Sequence, residues 1–437
     1  MESVTPITFK DILINVPSDD LGRTWPAKMT IMMRMTSKLI RDAVDEGRIP
    51  VAVSLNWQIY INNIPEINCI FQLLNITSLK IICFDFDCIA DADKNYEEEL
   101  KYEKDKLLKL SEMITLNNGI TKLDLSKCLL EDNSIFFLKN VLPKLQNLSE
   151  LNFDQNHFSL TSDFIELLMM LPKLVRLILD SNSLFNEETI VFGQILHLEE
   201  LSLRYCDIPR ESYNILKLIE VCPKLVHLDL GHNALYGWNS NVLINKWIKK
   251  LPQVLGQCHN LTYLDLSNNI IDAGGAMYIS TLLKSHNLVC LKLSHNILKD
   301  EGVTNIANSL SYCSNLTKLD LSNNKIQDKG VINIVNALLL CPTLSDLDLS
   351  SNKMENKGAS CIAQFVTQYS TLTSLNLSCN QIKNGGAAKI ENVLKGYHSL
   401  TSLYIYGNHI KRKEYMKLQE FTIVTDKLDY KNKPPFF

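Results

Sequence analysis

The chain has 437 residues, 46% hydrophobic and 21% charged, a globular balance that excludes a wholly disordered protein. Its 44 basic and 48 acidic side chains leave a formal charge of −4, without the basic excess of a nucleic-acid binder, and 16 Gly and 13 Pro exclude a collagen-like chain. No apolar run reaches the ~18 residues that span a bilayer, and the polar start Met1-Glu2-Ser3-Val4 lacks the pattern of a signal peptide, so the expectation is a soluble cytoplasmic protein with no membrane partner.

In chain order, residues 1–70 fall outside any repeat. Ser18 or Asp19 is placed to cap a helix, and Leu39, Ile40, Ala43 and Val44 form one apolar helical face. One reading is a helical cap of the kind solenoids need for solubility. The other is a degenerate F-box: the order Phe9 to Pro17, the Asp20-Leu21 turn and the helix from Met35 to Val44 resembles that motif. The resemblance implies that residues 1–60 hold the linker subunit of a ubiquitin ligase. Residues 22–34 are too long for the motif's spacing, and its closing aromatic is missing. Residues 71–119 read as a degenerate first repeat opening at Leu79, with Ile82, Phe84 and Asp87, followed by a charged connecting helix. Within it residues 91–106 carry eleven charges in sixteen positions, and Glu97 and Lys101 are neighbours on a helix surface.

From residue 120 to 410 the template L-x-x-L-x-L-x-x-N/C-x-L recurs. It fits Leu261, Leu264, Leu266, Asn269 and Ile271, and again Leu316, Leu319, Leu321, Asn324 and Ile326. The opening leucines Leu261, Leu288, Leu316, Leu344, Leu372 and Leu400 are separated by 27 and then by 28 residues throughout. Upstream, Ile120, Leu148, Leu174, Leu198 and Leu225 open further repeats at less even spacing, and 36 residues separate Leu225 from Leu261. The Leu-x-Leu pair has the period of a half-buried strand. The Asn that closes the motif turns inward, so Asn296, Asn324 and Asn352 should form a hydrogen-bonded ladder. Gly302, Val303, Ile306, Ala307 and Leu310 then recur along one face of a helix.

Phrases such as LTKLDLSNNKIQDKGVINIVNAL and LTSLNLSCNQIKNGGAAKIENVL resemble leucine-rich repeat proteins of the ribonuclease-inhibitor-like class. The resemblance covers residues 120–410. It implies an α/β solenoid, a horseshoe with a parallel concave sheet and convex helices, but it does not assign a function. Residues 411–437 read as a C-terminal cap, reaching Val424, and a tail ending in LDYKNKPPFF.

No GxxxxGK, GxGxxG, HExxH or GxSxG motif occurs, so no catalytic residue, no metal ligand and no cofactor is assigned. Cys222, Cys258, Cys313 and Cys341 each lie three residues before a repeat leucine, and no CxxC is present; they read as buried core rather than as disulfides or zinc ligands. Asp229, Asp265, Asp320 and Asp348 share one slot and read as surface texture rather than an acid–base pair. Sequons such as Asn260-Leu261-Thr262 and Asn315-Leu316-Thr317 are likewise a repeat slot.

Strand residues between the leucines face the inside of the horseshoe, free of core packing. From Leu261 onward they are mostly small or acidic; the middle breaks that pattern with Arg176, Ile178, Arg204, Tyr205, His227 and His232. The long repeat after Leu225 adds Tyr236, Trp238 and Trp247, of which Trp247 is expected in a convex helix. Arg and aromatic residues dominate interface hot spots. The expected partner-binding residues are therefore Arg176, Ile178, Arg204, Tyr205, His227, His232 and Trp238, on a non-enzymatic module that binds a protein. The alternatives are an F-box-like substrate adaptor and an effector secreted into a host cytosol, the latter suggested by the Ile-, Asn- and Lys-rich wording of an AT-rich genome. The weakest is a Ran-type GTPase-activating protein, whose family usually carries an acidic C-terminal stretch where this tail is basic.

Overall fold

A computed structural model describes residues 51–56, 76–82, 119–184, 196–206, 208, 213–233, 246–396 and 399–419. The chain divides into two units, Met1–Leu198 and Glu199–Phe437. Among the described residues of the first, strands β1 (Val51–Asn56), β2 (Ile76–Ile82), β3 (Lys122–Asp124), β4 (Glu150–Asn152) and β5 (Arg176–Ile178) pair in sequence order, all parallel. Helices α1 (Ile135–Val141) and α2 (Ser162–Met169) follow β3 and β4.

The second unit repeats this scheme through β6 (Glu200–Ser202), β7 (His227–Asp229), β8 (Tyr263–Asp265), β9 (Cys290–Lys292), β10 (Lys318–Asp320), β11 (Asp346–Asp348), β12 (Ser374–Asn376) and β13 (Ser402–Tyr404). Its helices are α3 (Tyr213–Glu220), α4 (Lys246–Leu255), α5 (Ala273–Leu283), α6 (Lys299–Ala307), α7 (Asp328–Leu338), α8 (Asn356–Gln368), α9 (Asn384–Leu394) and α10 (Arg412–Gln419). A parallel sheet with a helix between successive strands is the architecture of a leucine-rich repeat solenoid, as the spacing predicts. Among the described residues no helix is long and apolar enough to cross a membrane.

Alternation explains why strands this short hold. Leu264, Leu291, Leu319, Leu347, Leu375 and Leu403 are the central residues of successive strands and stand opposite one another in register, all buried, while their neighbours on each strand face outward. The same register corrects the first repeat. Leu79 pairs with Leu123, the second apolar position of its repeat, so the unit opens at Ile76 and not at Leu79. Within residues 1–70, where a helical region is expected, Val51–Asn56 forms a strand; residues 1–50 and 57–75, and with them the F-box-like segment, lie outside the described residues. The charged stretch 91–106 and residues 420–437 lie outside them too.

The asparagine ladder is present. Asn324 is fully buried; its Nδ2 donates to the carbonyls of Leu293 (2.8 Å), Leu321 (3.2 Å) and Ser322 (3.0 Å). In the next repeat, Asn352 Oδ1 accepts from the Asn324 and Ile326 N–H groups at 2.9 and 3.0 Å. Each asparagine therefore satisfies its own turn and joins it to its neighbour.

A second column caps the helices from the preceding repeat. Asp300 Oδ1 accepts the N–H groups of Gln327 (2.7 Å) and Gly330 (3.0 Å) at the start of α7, and Asn356 Oδ1 accepts those of Lys383 and Gly386, both at 2.9 Å, at the start of α9. The cysteine column is core: Cys222, Cys258, Cys313 and Cys341 are buried free thiols. Burial pushes Cys258 and Cys313 up to about 11 and Cys341 up to about 12, which keeps them protonated and inert. Trp247 is buried in α4.

Candidate functional site

The recurring aspartate slot has a structural task. Where an aspartate ends the strand, its Oδ1 accepts the N–H two residues on: Asp229 from Gly231 and Asp265 from Ser267, both at 2.9 Å. The chain then turns through a residue in the left-handed region, one position before the ladder asparagine or, after β6, before Cys206 in the same slot. Tyr205 (φ 52°), His232 (60°), Asn268 (52°), His295 (54°) and Asn323 (49°) all occupy that position. Asn tolerates it well; Tyr and His hold it because the ladder on one side and the strand on the other impose it.

These two devices assemble a cluster on the solvent face of β6 to β9. Arg204 Nη1 reaches Asp229 Oδ2 at 3.0 Å and Asp265 Oδ2 at 3.4 Å. Lys292 Nζ donates to the Tyr263 hydroxyl at 2.6 Å and lies 3.4 Å from the same Asp265 Oδ2. The side chains of Asp229 and Asp265 are only 8% and 2% exposed, against 30% for Arg204 and 28% for Lys292, so the anions lie beneath the cations. His227 stacks on Tyr263 with centroids 3.7 Å apart and planes 8° from parallel, a consequence of their register pairing. Tyr205 stacks on His232 at 4.3 Å, and the Arg204 guanidinium lies 5.9 Å from the Tyr205 ring.

Burial and the neighbouring Asp265 push the Asp229 carboxyl above the usual carboxylate value, with the Gly231 N–H and Arg204 offsetting part of the rise. Burial also raises Tyr263. It opposes the Lys292 ammonium, but the Tyr263 hydroxyl and Asp265 outweigh it and hold that lysine above its ordinary value.

His232 is displaced downward, first by burial and then by Arg204 and His295, with Asp265 pulling the other way. Its Nδ1 lies 3.0 Å from Asn268 Nδ2, a contact in which a neutral ring accepts. The unfolded chain binds a proton at the usual histidine value of 6.5, before the folded protein does. Folding stability should therefore fall as the pH drops through that value. His232→Asn, which suits the left-handed position as Asn268 does, should remove this segment of the curve. The test is the Tm difference between wild type and variant, measured from about pH 7 to 5. A difference that stays constant over that range refutes the assignment.

Of the residues the sequence singles out, Arg204, Tyr205, His227 and His232 fall in this cluster. Arg176 and Ile178 are half-buried residues of β5 in the other unit, and Trp238 lies outside the described residues. Sequence reasoning left out Tyr263, Asp265 and Lys292, which complete the cluster. The usable signal was register: strands one repeat apart place Tyr263 opposite His227 and Lys292 opposite Asp265. Among the described residues no group of three or more His, Cys, Asp or Glu is placed to hold a metal ion.

Residues 257–280, 284–307, 312–335, 340–363 and 370–390 match the leucine-rich repeat family model. Among solved structures, an internalin from Listeria monocytogenes is similar at 18% identity and a TM-score of 0.47, over 83% of this chain and 83% of that one. The mouse RP105/MD-1 complex is similar at 16% identity and a TM-score of 0.46, over 85% of this chain and 57% of that chain. No curated protein matches significantly.

Proposed function

We propose that this chain is a non-enzymatic interaction module that binds a protein partner on the solvent face of β6 to β9. The observation that carries this is the Arg204, Tyr205, His227, His232, Tyr263 and Lys292 cluster. Its rings are stacked and its cations anchored before any partner arrives, so little side-chain entropy remains to be lost on binding. Arg and Tyr are also the residue types that most often carry binding energy. Arg176 and Ile178 on β5, and Trp238 in the long repeat, are proposed as further contacts on their sequence character alone.

The test is affinity capture with the full chain, comparing wild type with the Arg204→Ala, Tyr205→Ala double variant. Captured partner should fall by about tenfold or more, as expected when two hot-spot side chains are truncated. Equal capture by a variant that melts like wild type moves the site elsewhere.

A further inference from the structure

From the layering of this patch we infer the kind of partner it takes: a peptide segment with a single carboxylate that bridges Arg204 and Lys292, flanked by an aromatic or aliphatic side chain resting on the Tyr205 ring. The inference rests on the reading of the patch as a partner surface.

Both cations contact the same oxygen, Asp265 Oδ2, each at 3.4 Å, so their nitrogens are no further apart than those two contacts laid end to end. One incoming carboxylate spans that gap with an oxygen to each. The anions that anchor the cations face inward and are occupied: the Oδ1 atoms of Asp229 and Asp265 hold backbone N–H groups, and both side chains are nearly inaccessible. An approaching chain meets the positive groups first. A partner cation would be repelled before it reached an anion, whereas a partner carboxylate meets two donors already held in place.

The flanks set the length of the acidic element. Glu200 lies on the same face of β6, and Asp320 stands opposite Lys292 in register on β10. A run of acidic residues would face these carboxylates, so one acid between uncharged neighbours fits best. Tyr205 is 46% exposed with its ring stacked on His232, which leaves apolar surface beside Arg204 for the flanking residue.

The probe is a random peptide display library selected on the full chain. Enriched peptides should carry one Asp or Glu next to an aromatic or aliphatic residue. A synthetic copy should bind about tenfold more weakly to Lys292→Gln and to Arg204→Gln, and bind Lys411→Gln, altered in the last repeat, like wild type. A copy with its carboxylate exchanged for the amide should lose a similar factor on the wild-type protein, an arm that no folding defect affects. Peptides without an acid that still depend on Tyr205 overturn the acidic specificity and leave the binding surface standing. Peptides indifferent to Tyr205→Ala and Lys292→Gln overturn both readings, and a selection that enriches nothing overturns the acidic-peptide inference.

Discussion

Asn324→Asp should destabilise the second unit severely although it alters the volume hardly at all. The amide Nδ2 donates to three buried carbonyls, of Leu293, Leu321 and Ser322; a carboxylate there offers oxygen to oxygen. Each carbonyl keeps a second donor, from Asn296 Nδ2, Asn352 Nδ2 and the His295 N–H, so the loss is that of three hydrogen bonds of a fully buried amide, about 2–4 kcal/mol in total. Asn324→Ala removes the same donors without adding a charge and should cost a similar amount. The two variants should separate with pH. A buried aspartate here has its pKa raised, so its penalty should shrink on acidification as the carboxyl takes up a proton and regains one donor, while the alanine penalty should not. Urea unfolding followed by circular dichroism at two pH values measures both. An aspartate variant as stable as wild type would show that the ladder is not what joins the repeats. Contacts in a solenoid are between nearest neighbours, so the loss should be concentrated in the repeats of Asn296, Asn324 and Asn352.

The second large effect is expected at Gly330. A Cβ built there would lie 2.6 Å from Asp300 Oδ1, 2.7 Å from Ile326 Cγ2 and 3.1 Å from the Asp300 Cα. The first of these atoms holds the Gly330 N–H, so a methyl group displaces the cap as well as overfilling the contact between α7 and the preceding repeat. Overpacking costs about 1–3 kcal/mol and loss of a cap about 1 kcal/mol, against about 1 kcal/mol gained from the better helix propensity of alanine. Gly330→Ala should therefore lower stability by about 2 kcal/mol net. Gly396→Ala is the control, because a Cβ there meets nothing within 4 Å. Equal stability of the two variants in denaturant titrations would sink the argument from close approach.

How much of this was legible in the residues differs from element to element. The leucine spacing placed β3 to β13, the inward asparagines and the thiol column, because a strand three residues long turns only its central side chain into the apolar core and the pattern repeats that constraint. It misplaced the first repeat by three residues. Ile76, Leu79 and Ile82 share the spacing of the motif's opening positions, and only pairing with Leu123 shows which slot Leu79 fills. The cap column was invisible, since Asp300 serves a helix that begins in the following repeat.

The candidate site shows the same division. Arg204, Tyr205, His227 and His232 stood out because each breaks the small or acidic character of its slot, and such departures can be read from one repeat at a time. Their association with Tyr263, Asp265 and Lys292 could not, because the repeat opened by Leu225 runs 36 residues to Leu261 and breaks the regular spacing. Local spacing is enough to define each strand and turn, whose geometry depends on residues close in sequence. Which aromatic stacks on which, and which cations share a buried carboxylate, depends on strand register and on the left-handed turn that carries Tyr205 and His232, and both arise only when neighbouring repeats pack.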